Sequence, residues 1–163
     1  MQLFSDLPGF LAPGGGSIPY VLVTNLKPGS VIVNEPKREV IIFELTCPWD
    51  ANVARSHSYK ENKYAPLVAD LSQRYTTFLF SVEISVCGQI TGDNKKRLKA
   101  FVYRACTEPK PIYKSIVLVC SKVALLSSFS IFMARSEPSW TNPPLCFILI
   151  FEILFTLSSI AYL

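Results

Sequence analysis

The stretch Glu39-Val40-Ile41-Ile42-Phe43-Glu44-Leu45-Thr46-Cys47, closed by Pro48, decides the fold. Its β-branched and aromatic residues predict a strand, and a proline that cannot donate to a ladder predicts where it ends. Side chains alternate across a strand. Val40, Ile42, Glu44 and Thr46 therefore share one face, and Ile41, Phe43, Leu45 and Cys47 the other. Residues 40–43 are apolar on both faces, the pattern of a strand covered on both sides. Glu44 then sits at the end of a buried strand, where a carboxylate needs a cation or hydrogen-bond donors. Solvent exposure, or a simple pair with an arginine, is the plainer alternative for a strand glutamate.

Upstream, Ser30 to Asn34 is a short apolar run, and Glu35-Pro36-Lys37-Arg38 turns the chain, so the two strands predict a hairpin. Residues 1–28 read as irregular, since Asp6-Leu7-Pro8-Gly9 and Pro13-Gly14-Gly15-Gly16-Ser17 are turn and loop chemistry. Downstream, Asp50 or Asn52 is a candidate cap for a helix running to about Arg74. Val53, His57, Lys60, Tyr64, Leu67, Val68 and Leu71 recur on one face of it, and Pro66 predicts a kink or restart. Thr76 to Val86 alternates as a third strand, with Phe78, Phe80, Val82, Ile84 and Val86 opposite Thr77, Leu79, Ser81, Glu83 and Ser85. A loop over Gly88–Gly92 follows. Asp93 is then the expected cap of a basic helix with Leu98, Phe101, Val102 and Ala105 on its apolar side.

Glu108-Pro109-Lys110-Pro111 reads as a linker before a long apolar helix from Ile112 to about Ser136. Thr141-Asn142-Pro143-Pro144 breaks the chain, and Leu145–Leu163 follows with Glu152 as its only charge. Hairpin, helix, strand and flanking helices define an α/β class. The segments are an irregular 1–28, a core over 29–110, a helix over 111–140 and a hydrophobic tail over 141–163.

At 163 residues, with 50% hydrophobic and 17% charged residues, the chain suits one α/β domain and excludes a disordered tail or a fibrous repeat. The net charge of +4 permits contact with nucleic acid or an anionic membrane without demanding either. The five cysteines, Cys47, Cys87, Cys106, Cys120 and Cys146, form no C-x-x-C pair, and the single His57 has none close by. Reduced, mostly buried thiols in an intracellular compartment are expected. The first residues lack the basic start and apolar run of a secretory signal.

A Mg²⁺-dependent nuclease needs at least two oxygen-rich side chains for the ion and a cation near the attacked phosphate. A hairpin followed by a helix can supply all three. Glu44 is the best-placed carboxylate, and Lys60 lies within the inward stripe of the helix, where a lysine must snorkel or meet an acid. Lys63 lies on the flank of that stripe, with a solvated helix face as its plainer reading. Tyr64 and His57 read more simply as packed side chains. Lys95, Lys96, Arg97 and Lys99, with Arg104, place five positive charges within ten residues on one short helix, which is either a phosphate-binding surface or only a solvated face.

Asp6-Leu7-Pro8-Gly9, Lys27-Pro28, Phe43-Glu44-Leu45-Thr46 with Pro48-Trp49, Lys60-x-x-Lys63-Tyr64 and Val82-Glu83-Ile84-Ser85-Val86-x-Gly88 together resemble one family. It is the restriction-enzyme-like, PD-(D/E)XK-type endonuclease domain of non-LTR retrotransposon polyproteins, and the related segments beside reverse transcriptases. Leu125-Leu126-Ser127-Ser128-Phe129 through Pro138-Ser139-Trp140 carries the same flavour, so the resemblance covers about residues 4–140. It implies a restriction-endonuclease-like core with an apolar C-terminal helix. It also implies a metal-dependent DNA endonuclease that is nuclear if functional, with DNA as partner, Mg²⁺ as the ion and no small-molecule cofactor. Glu44 takes the place of the second metal-binding carboxylate, and Lys60 or Lys63 that of the catalytic lysine. The first carboxylate, directly after Lys-Pro, falls on Gly29, which cannot bind metal; Asn34 and Glu35 lie further along the hairpin. The implied picture is a degenerate fragment of a mobile element that cuts slowly or not at all.

A different class is open to the tail. At ~1.5 Å per residue, residues 145–163 span roughly 28 Å, close to the ~30 Å hydrocarbon thickness of a bilayer. The alternative expectation is therefore a small membrane protein anchored by this segment, with Glu152 and the near absence of flanking lysine or arginine as the features against it.

Overall fold

The computed structural model describes residues 2–4, 26 and 28–134. Four strands form one mixed sheet in the order β1 (Gln2–Phe4), β2 (Ser30–Asn34), β3 (Glu39–Thr46) and β4 (Thr76–Glu83). Three helices cover it: α1 (Val53–Leu71), α2 (Gly92–Ala105) and α3 (Pro109–Ala134). Expectations for residues 5–25 and 135–163, and for Lys27, lie outside the described residues.

β2 and β3 form the expected antiparallel hairpin, with Val33 opposite Val40 and Ser30 opposite Phe43. A single 3-10 turn over Glu35–Lys37 reverses the chain; Asn34 Oδ1 accepts the Lys37 N–H, and Arg38 takes the left-handed conformation with φ 50°. β3, α1 and β4 form a crossover unit whose strands run parallel, with Glu44 beside Ser81 and Thr46 beside Glu83. The alternation along β3 then sorts the core into two layers. Val31, Val33, Val40 and Ile42 pack with Tyr64, Leu67 and Leu71 of α1. Ile32, Ile41, Phe43, Val82 and Ile84 pack with Leu98, Phe101 and Val102 of α2 and with Ile112, Ile116, Cys120 and Ala124 of α3. The Phe43 and Phe101 rings stack at 4.1 Å. Burying each such side chain contributes roughly 1.5–3 kcal/mol, which makes the strand read from residues 40–43 the centre of the molecule.

Several boundaries differ from the sequence expectations. β1 is a strand inside a segment read as irregular, paired with β2 through Leu3 opposite Ile32. A three-residue strand whose partner lies far along the chain leaves no local pattern to find. Asn52 precedes α1 without a side-chain cap, and a 3-10 turn over Asp50–Asn52 starts the helix instead. α1 runs on through Pro66, which sits on the exposed side, where water is available to the carbonyl its ring leaves unpaired. Thr91, not Asp93, caps α2, its hydroxyl accepting the Asn94 N–H at 3.4 Å. Pro109 and Pro111 belong to the first turn of α3 rather than to a linker, because the first N–H groups of a helix have no intrahelical acceptor to lose.

β4 ends at Glu83, and the chain turns through Ser85–Gly88, where Gly88 has φ 75° and donates its N–H to the Ser85 carbonyl at 2.7 Å. A Cβ at Gly88 would overlap the backbone carbonyl of Ser121 on α3. Gly88→Ala is therefore expected to lower stability by about 1–3 kcal/mol, combining the positive φ with a backbone clash. A urea midpoint unchanged from the parent would show that this turn does not seat α3.

Candidate active site

Glu44 lies near the carboxyl end of β3, on the face covered by α1, and is 7% exposed. Its partners come from three elements. The Gly29 N–H, just before β2, donates to Oε2 at 2.7 Å. The Tyr64 hydroxyl donates to Oε2 at 3.2 Å, and the Lys60 ammonium forms an ion pair with Oε1. Lys60 and Tyr64 stand one turn apart on α1, so a helix packed along β3 aims both at the same carboxylate. Lys63 is placed elsewhere, its ammonium 4.9 Å from the centre of the Tyr64 ring.

The hairpin register sets Gly29 alongside Glu44. A Cβ at Gly29 would stand 3.4 Å from Glu44 Oε2 and 3.3 Å from the Phe43 carbonyl oxygen. Position 29 thus looks directly at the carboxylate. Glu35 does not: it occupies the turn at the far end of the hairpin, where the Tyr75 hydroxyl donates to it at 3.1 Å. Asn34, at the same end, is engaged with the Lys37 N–H.

A second acidic group lies one strand over on the same face. Glu83 is fully buried; the Ser81 hydroxyl donates to its Oε1 at 2.5 Å, and His57 Nδ1 lies 3.3 Å from Oε1 and 3.1 Å from Oε2. Only the Oε1 approach has hydrogen-bond geometry, and Oε2 has no hydrogen-bond partner among the described residues. His57 Nε2 lies 3.0 Å from Glu61, so the imidazole bridges two carboxylates between α1 and the sheet. The Asn94 Oδ1, at the start of α2, accepts the Glu83 N–H at 3.2 Å. Glu44 and Glu83 therefore share the carboxyl end of the parallel pair, the end of an α/β sheet where ligands commonly bind.

The sequence singled out Glu44 and Lys60, and the structure brings them into contact. It treated Tyr64 and His57 as packing, and both are buried or half-buried against acids. The signal for Glu83 was present in the alternation of β4, which puts Thr77, Leu79, Ser81 and Glu83 on one face. Only the parallel pairing with β3 shows that this polar face is covered by α1.

The basic helix begins at the same end of the sheet but on the opposite face. Lys95 and Lys99 are exposed, Lys99 lying 5.4 Å from the Tyr103 ring centre. Lys96 pairs with Asp93 at 3.2 Å, and Arg97 donates to Asn94 Oδ1 at 3.3 Å. Arg104 is a packing residue, paired with Glu39 at 2.9 Å and stacked 3.4 Å over Phe78.

Among the described residues no group of three or more His, Cys, Asp and Glu is arranged to hold a metal ion. Glu44 already meets an N–H, a hydroxyl and an ammonium, so it could take a cation only by giving up Lys60. The residues present do not fit the Mg²⁺ that the resemblance implies. Burial pushes the Cys106 thiol up to about 11 and the Cys120 thiol up to about 12, and the exposed Cys87 thiol, which donates a hydrogen bond to the Asp50 carboxylate, is raised as well. Comparison with protein-family models, with curated proteins and with solved structures found no match.

Proposed function

We propose that the chain is a retroelement-derived, endonuclease-like domain built on a restriction-endonuclease-like core. Its ancestral chemistry would be Mg²⁺-dependent hydrolysis of a DNA phosphodiester, and as written it binds DNA and cuts little or not at all. The observation that carries this reading is the adjacency of Gly29 and Glu44. The position where the resemblance puts a metal-binding aspartate faces the carboxylate that would share the metal, and Lys60 stands beside them. Hairpin, helix and parallel strand supply the frame that such a site needs. Glycine at position 29 removes the second oxygen ligand, and Lys60 fills the charge vacancy beside Glu44. In this reading the domain works inside the cell, in the nucleus, with DNA as its partner.

Binding is tested on duplex DNA across a salt series. Each phosphate contact releases about 0.9 counterion, so affinity should fall steeply with salt. Lys95→Glu with Lys99→Glu, both on the exposed side of α2, should lower the magnitude of the logarithmic slope by about 2. An unchanged slope would leave α2 as a solvated face and remove DNA binding from the proposal.

One observation favours the alternative membrane reading. Pro109–Met133 is long and apolar enough to cross a bilayer by length and composition, with a mean hydropathy of 2.1 in its most apolar window and 22% of that window buried. Against it, the first half of α3 packs into the same core layer as α2. Fractionation without detergent separates the two: a chain recovered in the membrane pellet supports the membrane reading, whether residues 145–163 or α3 provide the anchor.

A further inference from the structure

Two aromatic rings stand in solvent beside the Glu44 corner. Trp49 lies just past the end of β3, five residues beyond Glu44, and is 71% exposed. Its backbone is pinned on both sides. The Val86 N–H donates to the Pro48 carbonyl at 3.0 Å, and the Asn52 N–H to the Trp49 carbonyl at 2.8 Å. Tyr59, on α1, is 62% exposed. Arg55 and Lys63 stand four residues to either side of it, so cation, ring and cation follow one ridge of the helix. The ridge extends about 12 Å from Arg55 to Lys63. Tyr59 and Lys63 immediately precede Lys60 and Tyr64, the two α1 side chains that meet Glu44, so the ridge flanks that corner.

Nothing within the domain uses this surface. The side chains of Trp49, Arg55 and Tyr59 make no hydrogen bond, ion pair or ring contact among the described residues. Two acids lie between Pro48 and Tyr64, and both are engaged elsewhere. Glu61 lies 3.0 Å from His57 Nε2, and Asp50 is hydrogen-bonded to Ser85, which lowers its pKa. Neither pairs with Arg55 or Lys63.

We propose that Trp49 and Tyr59, with Arg55 and Lys63 beside them, form a stacking surface for an unpaired strand of DNA at the Glu44 corner. This inference rests on the reading of the domain as DNA-binding, and adds that its partner on the α1 side is single-stranded. A base offers its flat face only where it is unpaired, since neighbouring pairs cover that face in a duplex. An indole and a phenol are suitable platforms, and every base has a π-face to lay on them. Arg55 and Lys63 supply the positive charge that tracks the backbone between stacked bases. An apolar protein partner suits the surface less well, because it would desolvate the Arg55 guanidinium without supplying an acid. The basic side of α2 lies on the opposite face of the sheet, so duplex phosphates and unpaired bases would occupy separate surfaces.

Trp49 and Trp140 are the only tryptophans, so the full chain with Trp140→Phe leaves one indole as reporter. In that background oligothymidylate should quench the emission, and a blunt duplex of equal length should quench it far less. With a labelled strand followed by anisotropy, Trp49→Ala should weaken oligothymidylate binding about tenfold or more, whereas Trp49→Phe should keep most of it. Tyr59→Ala should act in the same direction, and Arg55→Ala should lower the magnitude of the logarithmic salt slope by about 0.7. Duplex affinity should be unchanged in all of them. Each of these side chains is exposed, so an unchanged urea midpoint is expected and verifies that the variants fold. Single-strand affinity unaffected by Trp49→Ala would overturn the stacking surface and leave duplex binding through α2 standing; so would a parent that binds only duplex. A parent that binds neither form would remove the DNA reading together with this one. Trp49 emission that shifts to the blue with rising protein concentration would overturn the proposal in favour of a second copy covering the ring.

Discussion

Gly29→Asp is expected to gain Mg²⁺-dependent nicking of duplex DNA, where the parent chain shows almost none. The gain follows from geometry. A side chain at position 29 starts 3.4 Å from Glu44 Oε2, so an aspartate carboxylate would lie beside that of Glu44. Two neighbouring carboxylates give Mg²⁺ the oxygen ligands that it prefers, and Lys60 is released to face a phosphate. Losing one electrostatic contact to a transition state commonly costs ~10²–10³ in rate, and restoring a metal should return at least that much. The new Cβ is tight against the Phe43 carbonyl, at 3.3 Å, and without metal two like charges share a buried corner. The variant should therefore be less stable than the parent in EDTA and gain thermal stability on adding Mg²⁺, whereas the parent should not respond. Adding Glu44→Ala should abolish both the cleavage and the Mg²⁺ response. A folded variant that shows neither would confine the resemblance to the fold. Brisk cutting by the parent would mean that a metal is held elsewhere, and Glu35, remote at the hairpin turn, is no candidate.

Much of this corner was legible in the sequence because its signals are periodic. Strand alternation put Glu44 on a covered face, and helical spacing put Lys60 and Tyr64 on the side of α1 that packs there. Glu83 was less legible. The alternation of β4 showed a polar face, but the cover over that face comes from parallel pairing, which is a property of the crossover rather than of any window of residues. β1 was invisible for the same reason, since its partner in β2 is distant along the chain. The helix phase already favoured Lys60, inside the stripe, over Lys63 on its flank, and the packing of α1 sends the first to a carboxylate and the second over a ring. The helix starts at Thr91 and Pro109 were misjudged by local chemistry, because aspartate and proline each fit more than one position of a first turn.

Lys60→Met is expected to be the most destabilising single change in the site. It leaves the carboxylate of Glu44 buried with two donors but without its cation. Breaking a buried ion pair by removing one partner typically costs ~3–5 kcal/mol. The lower end applies here, because the Lys60 side chain keeps 17% of its exposure and water can reach the gap. Lys63→Met is the control; its ammonium lies only over the Tyr64 ring, and a loss within ~0.5–1 kcal/mol is expected. Combining Lys60→Met with Glu44→Gln should recover most of the loss, since the neutral amide still accepts from the Gly29 N–H and no unpaired charge remains buried. Urea unfolding of the four proteins gives the cycle. Recovery in the double variant would show that Lys60 serves as the counter-ion of Glu44. If instead Lys60→Met costs no more than Lys63→Met, the pair is too well solvated to hold the corner together, and the Lys60 ammonium is free to leave Glu44 for a phosphate without penalty.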